Sequence, residues 1–433
     1  MDHLILSKPG KNTHCTIQLT GSKSESNRAL ILNALSDGQV RVTNLSSADD
    51  TVTLANVLEV RKTESRKDRN ADVLAGASRL PDFPISQLPE VNIGPAGTAM
   101  RFLTAYFAVT GTEVILTGTE RMKQRPIGIL VDALEHLGAE IEYVENPGFP
   151  PLKFKSSFHQ KTDQISIKGN ISSQFITALL LVAPSLSKGL QLTIGGELTS
   201  RPYVEMTLSM LKEAGIAHEW DGSLNKIAPQ AFSDSEITVE PDWSAASYWY
   251  SIAALSDESS ITLPYLKQNS LQGDSRIVSI MESFGITTEF TTDGLKLIRN
   301  GNAPKGTFFD LKDCPDLAQT VIVCSAALGH NATFTGLETL KIKETDRIAA
   351  LQNELAKIGV TLNEDNENYH LDCSLLHFPD EISISTYEDH RMAMAFAPLA
   401  LKINKLEIEE PQVVGKSYPS FWEDLKRAGF EVK

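Results

Sequence analysis

The chain has 433 residues, 41% of them apolar and 22% charged, and its 55 acidic against 40 basic residues give a formal charge of −15. That length exceeds one ordinary core of about 100–200 residues, so two or more compact units are expected. The negative balance argues against a nucleic-acid partner, no apolar run nears the roughly 18 residues of a membrane span, and MDHLILSKPG lacks the features of a signal peptide. A cytoplasmic protein with no nucleic-acid or membrane partner is the expectation.

In chain order, GSKSESNRALILNAL (21–35) opens a helix whose first turn carries Lys23, Ser24 and Arg28. A helix start offers unpaired N–H groups and a partial positive charge, so these cations and hydroxyls make it a receptor for anions. The pattern recurs in GPAGTAMRFLTAYFAV, NISSQFITALLLVAP, PDWSAASYWYSIAAL, DCPDLAQTVIVCSAALG and YEDHRMAMAFAPLAL. With Ser22, Pro95, Ile171, Asp242, Pro315 and Glu388 as starts, the steps are 73, 76, 71, 73 and 73 residues. Such regularity predicts six structural repeats.

A second, amphipathic helix alternates with the first, in ADDTVTLANVLEV, PIGILVDALEHLGAEIEY, RPYVEMTLSMLKEAGIAHEW, GDSRIVSIMESFGITTEF, KETDRIAALQNELAKIGVTL and YPSFWEDLKRAGFEV. Gly138, Gly215, Gly285, Gly359 and Gly429 stand where C-cap glycines belong. Short alternating runs such as VILTG, ISIKG and ITVEP read as strands. Each unit is thus two helices with three or four strands. The first helix type, apolar nearly all round, is predicted to be buried, and the second keeps a wet face. Three units per domain place a break near residue 238, and the charge run EVRKTESRKDRNAD (59–72) reads as a solvated loop or hairpin edge.

If the buried helices aim their N-termini at a common cleft, their cap residues line one site. Lys23, Ser24, Arg28, Arg101, Ser172, Ser173, Gln174, Asp316, His390 and Arg391 would meet there, joined by Arg125, Ser200, Lys343, Glu344, Arg347 and Lys416. Cations and hydroxyls suit a multiply charged ligand, and two carboxylates among them suit proton transfer. Taken singly, each residue also has a plainer reading. The serines and Asp316 fit N-caps, KETDRIAAL an exposed first turn, His390 a satisfied interior ring, RMKQR a solvated turn and Lys416 a surface lysine.

At GSKSESNRAL, GPAGTAMRFL, LTGTERMKQRPIG, SSQFITALL, KETDRI and YEDHRMAMAF, over nearly the whole chain, the sequence resembles the 5-enolpyruvylshikimate-3-phosphate (EPSP) synthase family of enolpyruvyl transferases. The resemblance implies a two-domain inside-out α/β barrel of six βαβαββ repeats, three per domain, with buried helices pointing their N-termini at the cleft. It also puts residues 1–21 with 238–433 in one domain and 22–237 in the other, so that the chain crosses twice. The implied reaction moves the enolpyruvyl group of phosphoenolpyruvate to the 5-hydroxyl of shikimate 3-phosphate, with domain closure, no metal and no organic cofactor; a monomer is expected.

By resemblance, Asp316, Glu344 and Lys23 are catalytic. Lys23, Ser24, Arg28, Ser172, Ser173, Gln174, Ser200, Tyr203, Asp316 and Lys343 hold shikimate 3-phosphate. Lys23, Gly97, Arg125, Gln174, Arg347, His390, Arg391 and Lys416 hold phosphoenolpyruvate. Pro95, Phe102 and Thr339 depart from the usual family residues Asn, Pro and Asn. The rivals are the related transferase acting on UDP-N-acetylglucosamine and a non-catalytic phosphometabolite- or RNA-end-binding protein on the same scaffold. Against the first, no Cys lies between Cys15 and Cys314, where that enzyme carries a reactive one. Retention of both Asp316 and Glu344 and the charge of −15 speak against the second.

Overall fold

A computed structural model of the chain describes residues 3–59, 88–170 and 172–433. It is a mixed α/β structure with two separate apolar cores. One draws on residues from Ala29 to Val239, the other on Leu6, Ile17, Leu19 and residues from Trp243 to Phe430. The predicted charge run lies outside the described residues apart from Glu59, as does Ile171. Among the described residues, no helix is long and apolar enough to cross a membrane.

Helices without a wet face end up inside, as their patterning requires. In Trp243–Leu255 every residue but Ser244 is buried, and Ala318–Ala327 is buried throughout. Ser247 tolerates this because its hydroxyl donates to the Ser244 carbonyl and lies 3.1 Å from the Thr320 hydroxyl. The amphipathic helices stop where glycine permits a left-handed turn. Gly138, Gly215, Gly285, Gly359 and Gly429 all have positive φ.

Strand Gln164–Lys168 runs parallel to Leu190–Gly195, which pairs antiparallel with Leu224–Ile227, itself antiparallel to Glu219–Trp220. The same order, a parallel pair extended by two antiparallel strands, recurs in the sheets that begin at Thr13–Thr16, Glu90–Asn92, Phe308–Asp310 and Glu381–Ile384. In the last of these, N-terminal strand His3–Ser7 lies between Lys405–Glu409 and Glu431–Val432, so the chain ends close the sheet.

Two strands have exchanged partners. Thr13–Thr16 leads into helix Lys23–Leu35 but pairs with Ser259–Pro264, whereas Ser235–Thr238 leads into Trp243–Leu255 but pairs with Val40–Thr43. The chain therefore passes between the two cores at residues 20–22 and 240–242, and the crossings are stitched together. Ser22 N donates to Glu240 O at 2.8 Å and Asp242 N to Thr20 O at 3.0 Å.

Asp242 caps both first turns, with Oδ1 accepting from Ala245 N at 2.8 Å and Oδ2 from Lys23 N at 3.1 Å. Glu25 adds a buried tie, accepting from Glu240 N at 2.9 Å and Gln272 Nε2 at 3.0 Å. Burial pushes its carboxyl up to about 7.

The crossing leaves no room at Gly21, where an added Cβ would sit 2.0 Å from the Asn44 carbonyl oxygen, while Gly10 has nothing within 4 Å. Gly21→Ala is therefore expected to destabilise the protein by about 1–3 kcal/mol, the usual cost of overpacking, and Gly10→Ala to change little. Denaturant midpoints for the two variants check this. Equal midpoints would show that the crossing is not tightly packed.

Candidate active site

A cleft of about 600 Å³ lies between the two cores, lined by residues from both. Starts of the buried helices Lys23–Leu35, Gly97–Thr110, Ser173–Val182 and His390–Phe396 reach it, as does the turn Pro315–Leu317 that leads into Ala318–Ala327. The starts of Arg201–Glu213 and Arg347–Ala356 reach it too. Unpaired N–H groups and the positive ends of helix dipoles thus face one volume. Seven cations line it, Lys23, Arg28, Arg101, Arg125, Lys343, Arg347 and Arg391, against the four carboxylates of Asp50, Asp132, Asp316 and Glu344. A chain of charge −15 has gathered a cationic pocket, which favours anionic ligands.

Arg347 organises one wall. It is 1% exposed, and its guanidinium contacts Asp389 Oδ2 through Nε at 2.7 Å, Glu344 Oε2 through NH2 at 2.8 Å and Asp316 Oδ1 through NH1 at 3.2 Å. A second cation completes each of two carboxylates: Arg391 NH2 lies 2.9 Å from Asp316 Oδ2 and Lys416 Nζ lies 3.0 Å from Glu344 Oε1. Burial pushes both carboxyls up, but Arg391, Lys343 and Arg347 hold Asp316 far below the usual carboxylate range, and Lys416, Arg347 and Arg125 do the same for Glu344. Among these cations both are ionised.

Arg28 is buried on the opposite wall. Its Nε donates to Thr207 Oγ1 at 2.9 Å, NH1 to the Ser24 carbonyl at 2.7 Å and NH2 to Thr177 Oγ1 and the Tyr203 carbonyl at 3.3 and 3.2 Å. It also lies over the rings of Phe102 and Tyr203. Burial brings its pKa down to about 10, which leaves it charged at neutral pH. Lys23 Nζ meets Asp50 Oδ2 at 3.4 Å, and Gln174 Nε2 donates to Thr98 Oγ1 at 3.0 Å. At Gly97 a Cβ would come within 2.5 Å of Arg125 NH1, so the bare backbone is what lets that guanidinium lie across the helix start.

The walls also touch. Tyr203 OH donates to Asp316 Oδ2 at 3.4 Å, Lys416 Nζ donates to the Pro95 carbonyl at 3.3 Å, and Arg121 reaches the Glu344 and Lys343 carbonyls at 3.2 and 3.3 Å.

The cleft lining includes every candidate residue except Lys416, which lies beside it in a smaller cavity with Asp49, Asp50 and Pro95. Ser22 and Ser172 do act as caps, accepting from Glu25 N and Gln174 N. Asp316 does not: the helix after it has no side-chain cap, and its carboxylate goes to the arginines. The helix starting at His390 is capped by Asp389 rather than Glu388. Lys416 is buried, not on the surface, and in RMKQR only Arg125 and Met122 are buried. His390 is buried with no hydrogen bond to either ring nitrogen among the described residues. Burial, then Lys23 and Arg391, pushes its pKa well down, so the ring is neutral.

Among the charged residues at the site, Asp389, Asp50, Asp132 and Arg121 were not anticipated. Asp389 precedes the helix in YEDHR, a position that should have marked it as a cap. Asp50 and Arg121 gave no local signal, because their partners are distant in sequence.

The sequence profile described as EPSP synthase (3-phosphoshikimate 1-carboxyvinyltransferase) matches residues 7–425. A Bacteroides fragilis protein named 3-phosphoshikimate 1-carboxyvinyltransferase is 46% identical over 99% of this chain and 98% of its own length. One of the same name from Pectobacterium atrosepticum is 36% identical over 99% of both. Among solved structures, EPSP synthase from Acinetobacter baumannii covers 100% of both chains with a TM-score of 0.75 at 20% identity. The enolpyruvyl transferase NikO from Streptomyces tendae, at 14% identity and a TM-score of 0.70, shares the fold. With a profile match from residue 7 to 425 and full-length relatives at 36–46% identity, the chain belongs to the EPSP synthase family.

Proposed function

We propose that this chain transfers the enolpyruvyl (1-carboxyvinyl) group of phosphoenolpyruvate to the 5-hydroxyl of shikimate 3-phosphate, releasing phosphate through a tetrahedral adduct, in aromatic amino-acid biosynthesis. The observation that carries the reading is the pair Asp316 and Glu344, joined through Arg347 inside a cleft of seven cations. Two anions must be brought together and two protons moved, and the cleft supplies groups for both tasks.

Ser172, Ser173, Ser200 and Lys343 hold the phosphate of shikimate 3-phosphate, Ser24 and Arg28 hold its polar edge, and Tyr203 lies beside the ring. Four of the five N–H groups of Arg28 already serve the protein, so it offers the ligand a single strong donor. Arg125, Arg347, Arg391, His390, Lys416 and the backbone at Gly97 hold phosphoenolpyruvate, with Lys23 and Gln174 between the two ligands.

Asp316 takes the proton of the 5-hydroxyl as its oxygen attacks C2 of phosphoenolpyruvate, while Glu344 delivers a proton to C3. Collapse of the adduct returns a methyl proton to Glu344 and expels phosphate among the cations. Glu344 must be protonated to begin. The anionic carboxylate and phosphate supply that condition by neutralising Lys416, Arg347 and Arg125, the cations that otherwise hold it ionised.

The strand exchange supports two domains, 22–237 and 1–21 with 238–433, each of three βαβαββ repeats, hinged at the paired crossings and closing on the substrates. One chain supplies the whole set of residues, in keeping with a monomer. No observation favours the UDP-N-acetylglucosamine reaction, since the loop from Gly118 to Pro126 holds no Cys.

Phosphate release is expected only when phosphoenolpyruvate and shikimate 3-phosphate are both present; release with either alone, or none with both, would overturn the assignment. Glu344→Gln is expected to lose about 10²–10⁴-fold in kcat while still binding shikimate 3-phosphate, and near-normal turnover would remove it as the proton donor. Gly97→Ala, which displaces Arg125, is expected to raise KM for phosphoenolpyruvate and leave shikimate 3-phosphate affinity unchanged. Steady-state kinetics with each substrate varied reads this out, and equal effects on both would contradict the placement of Arg125.

A further inference from the structure

One buried carboxyl behind the cleft has no part in these roles. Asp274, on the short turn Gly273–Arg276, is 3% exposed and does not line the cleft. Its Oδ2 accepts a close hydrogen bond from Ser244 Oγ, and its Oδ1 has no hydrogen-bond partner among the described residues. Ser244 Oγ also accepts from Arg391 NH2 at 3.4 Å, and the same NH2 lies 2.9 Å from Asp316 Oδ2. Asp274, Ser244, Arg391 and Asp316 thus form a continuous polar chain from behind the wall to the proposed proton acceptor.

The charged and titratable groups facing Asp274 come from several elements. Asp316 and Cys314 belong to the turn before Ala318–Ala327, Arg391 to helix His390–Phe396, and Asp242 caps the helix that carries Ser244. Tyr203 faces it from helix Arg201–Glu213 on the other side of the cleft, and Arg276 belongs to its own turn. The turn is also covered from that side, since a Cβ on Gly273 would lie 2.8 Å from Pro202 Cβ.

We propose that Asp274 is a positioning residue for proton transfer at Asp316: neutral, it leaves Arg391 committed to Asp316, and ionised, it competes for Arg391 and makes Asp316 a better proton acceptor. This rests on Asp316 being the acceptor in the reaction above. A buried oxygen without a donor disfavours charge. Burial, with Asp316 adding to it and Arg391 opposing, pushes Asp274 up to about 7. Below that pH Asp274 is neutral and Asp316 is held at its weakest as a base; above it, Asp274 is ionised and the basicity of Asp316 rises. The rate under saturation should therefore climb with pH through this ionisation.

The test is kcat against pH with both substrates saturating, for wild type, Asp274→Asn, Ser244→Ala and Asp316→Asn. Asp274→Asn is fixed neutral, so the climb near neutrality is expected to vanish and kcat to stay at its low-pH level. Ser244→Ala removes the donor that favours ionised Asp274, so the climb is expected to move to higher pH. A purely structural role would lower kcat equally at every pH.

Superimposable profile shapes for wild type and Asp274→Asn would overturn the proposal; should Asp274→Asn fail to fold, an unmoved profile in Ser244→Ala would overturn it. Asp316→Asn separates this from the parent reading. Full activity there removes Asp316 as the acceptor, whereas an inactive Asp316→Asn beside an unmoved Asp274→Asn profile defeats the Asp274 proposal alone.

Discussion

The cleft depends on how Arg347 is held. A guanidinium that is 1% exposed has lost its hydration, and three carboxylates from three places in the chain compensate it: Asp316, Glu344 and Asp389. Removing one partner from such a buried pair typically costs about 3–5 kcal/mol, so the cluster resists rearrangement. Asp389 does two jobs, since Oδ1 also caps the helix that carries His390 and Arg391. The cation that orients the two proposed catalytic carboxylates is thereby tied to the helix that brings the second arginine to Asp316.

What places this wall opposite the other is the pair of crossings. Because Thr13–Thr16 and Ser235–Thr238 pair with the sheet of the other core, each half holds a strand whose continuation lies in its neighbour. The two short connections run antiparallel and are hydrogen-bonded to each other, which restrains sliding of one half against the other. Asp242, capping a helix in each half, sets the relative position of Lys23 and Ser244 from one residue. Lys23 reaches the cleft, while Ser244 reaches Arg391 behind it.

Much of the secondary structure was legible because it obeys local rules. Buried helices lacking a polar face recur near every 73 residues, and the amphipathic ones end at glycines with positive φ. The partner exchange was not legible locally, since nothing in THCT says that it pairs with SSIT some 246 residues on; resemblance alone suggested it. The candidate site residues were picked from helix starts, where an unexplained cation or hydroxyl stands out. Partners far away in sequence decide the rest: Lys416 is buried against Glu344 and the Pro95 carbonyl, and Asp50, which was missed, belongs to the site because Lys23 comes to it. Long-range ion pairs leave no periodicity to read.

The same clamps set the condition under which the site can work. Arg347, Arg391 and Lys416 are engaged by Asp316 and Glu344, so an incoming anion must compete with internal carboxylates for its partners. This weakens binding of any lone anion, and it links binding to chemistry. Each cation drawn toward a ligand oxygen is partly withdrawn from a carboxylate, whose proton affinity then rises where burial already favours the neutral form. An anion bound elsewhere on the surface would produce no such change. In the roles proposed for Asp316 and Glu344, proton transfer would therefore be favoured as anions fill the cleft, which ties the acid–base chemistry to substrate binding.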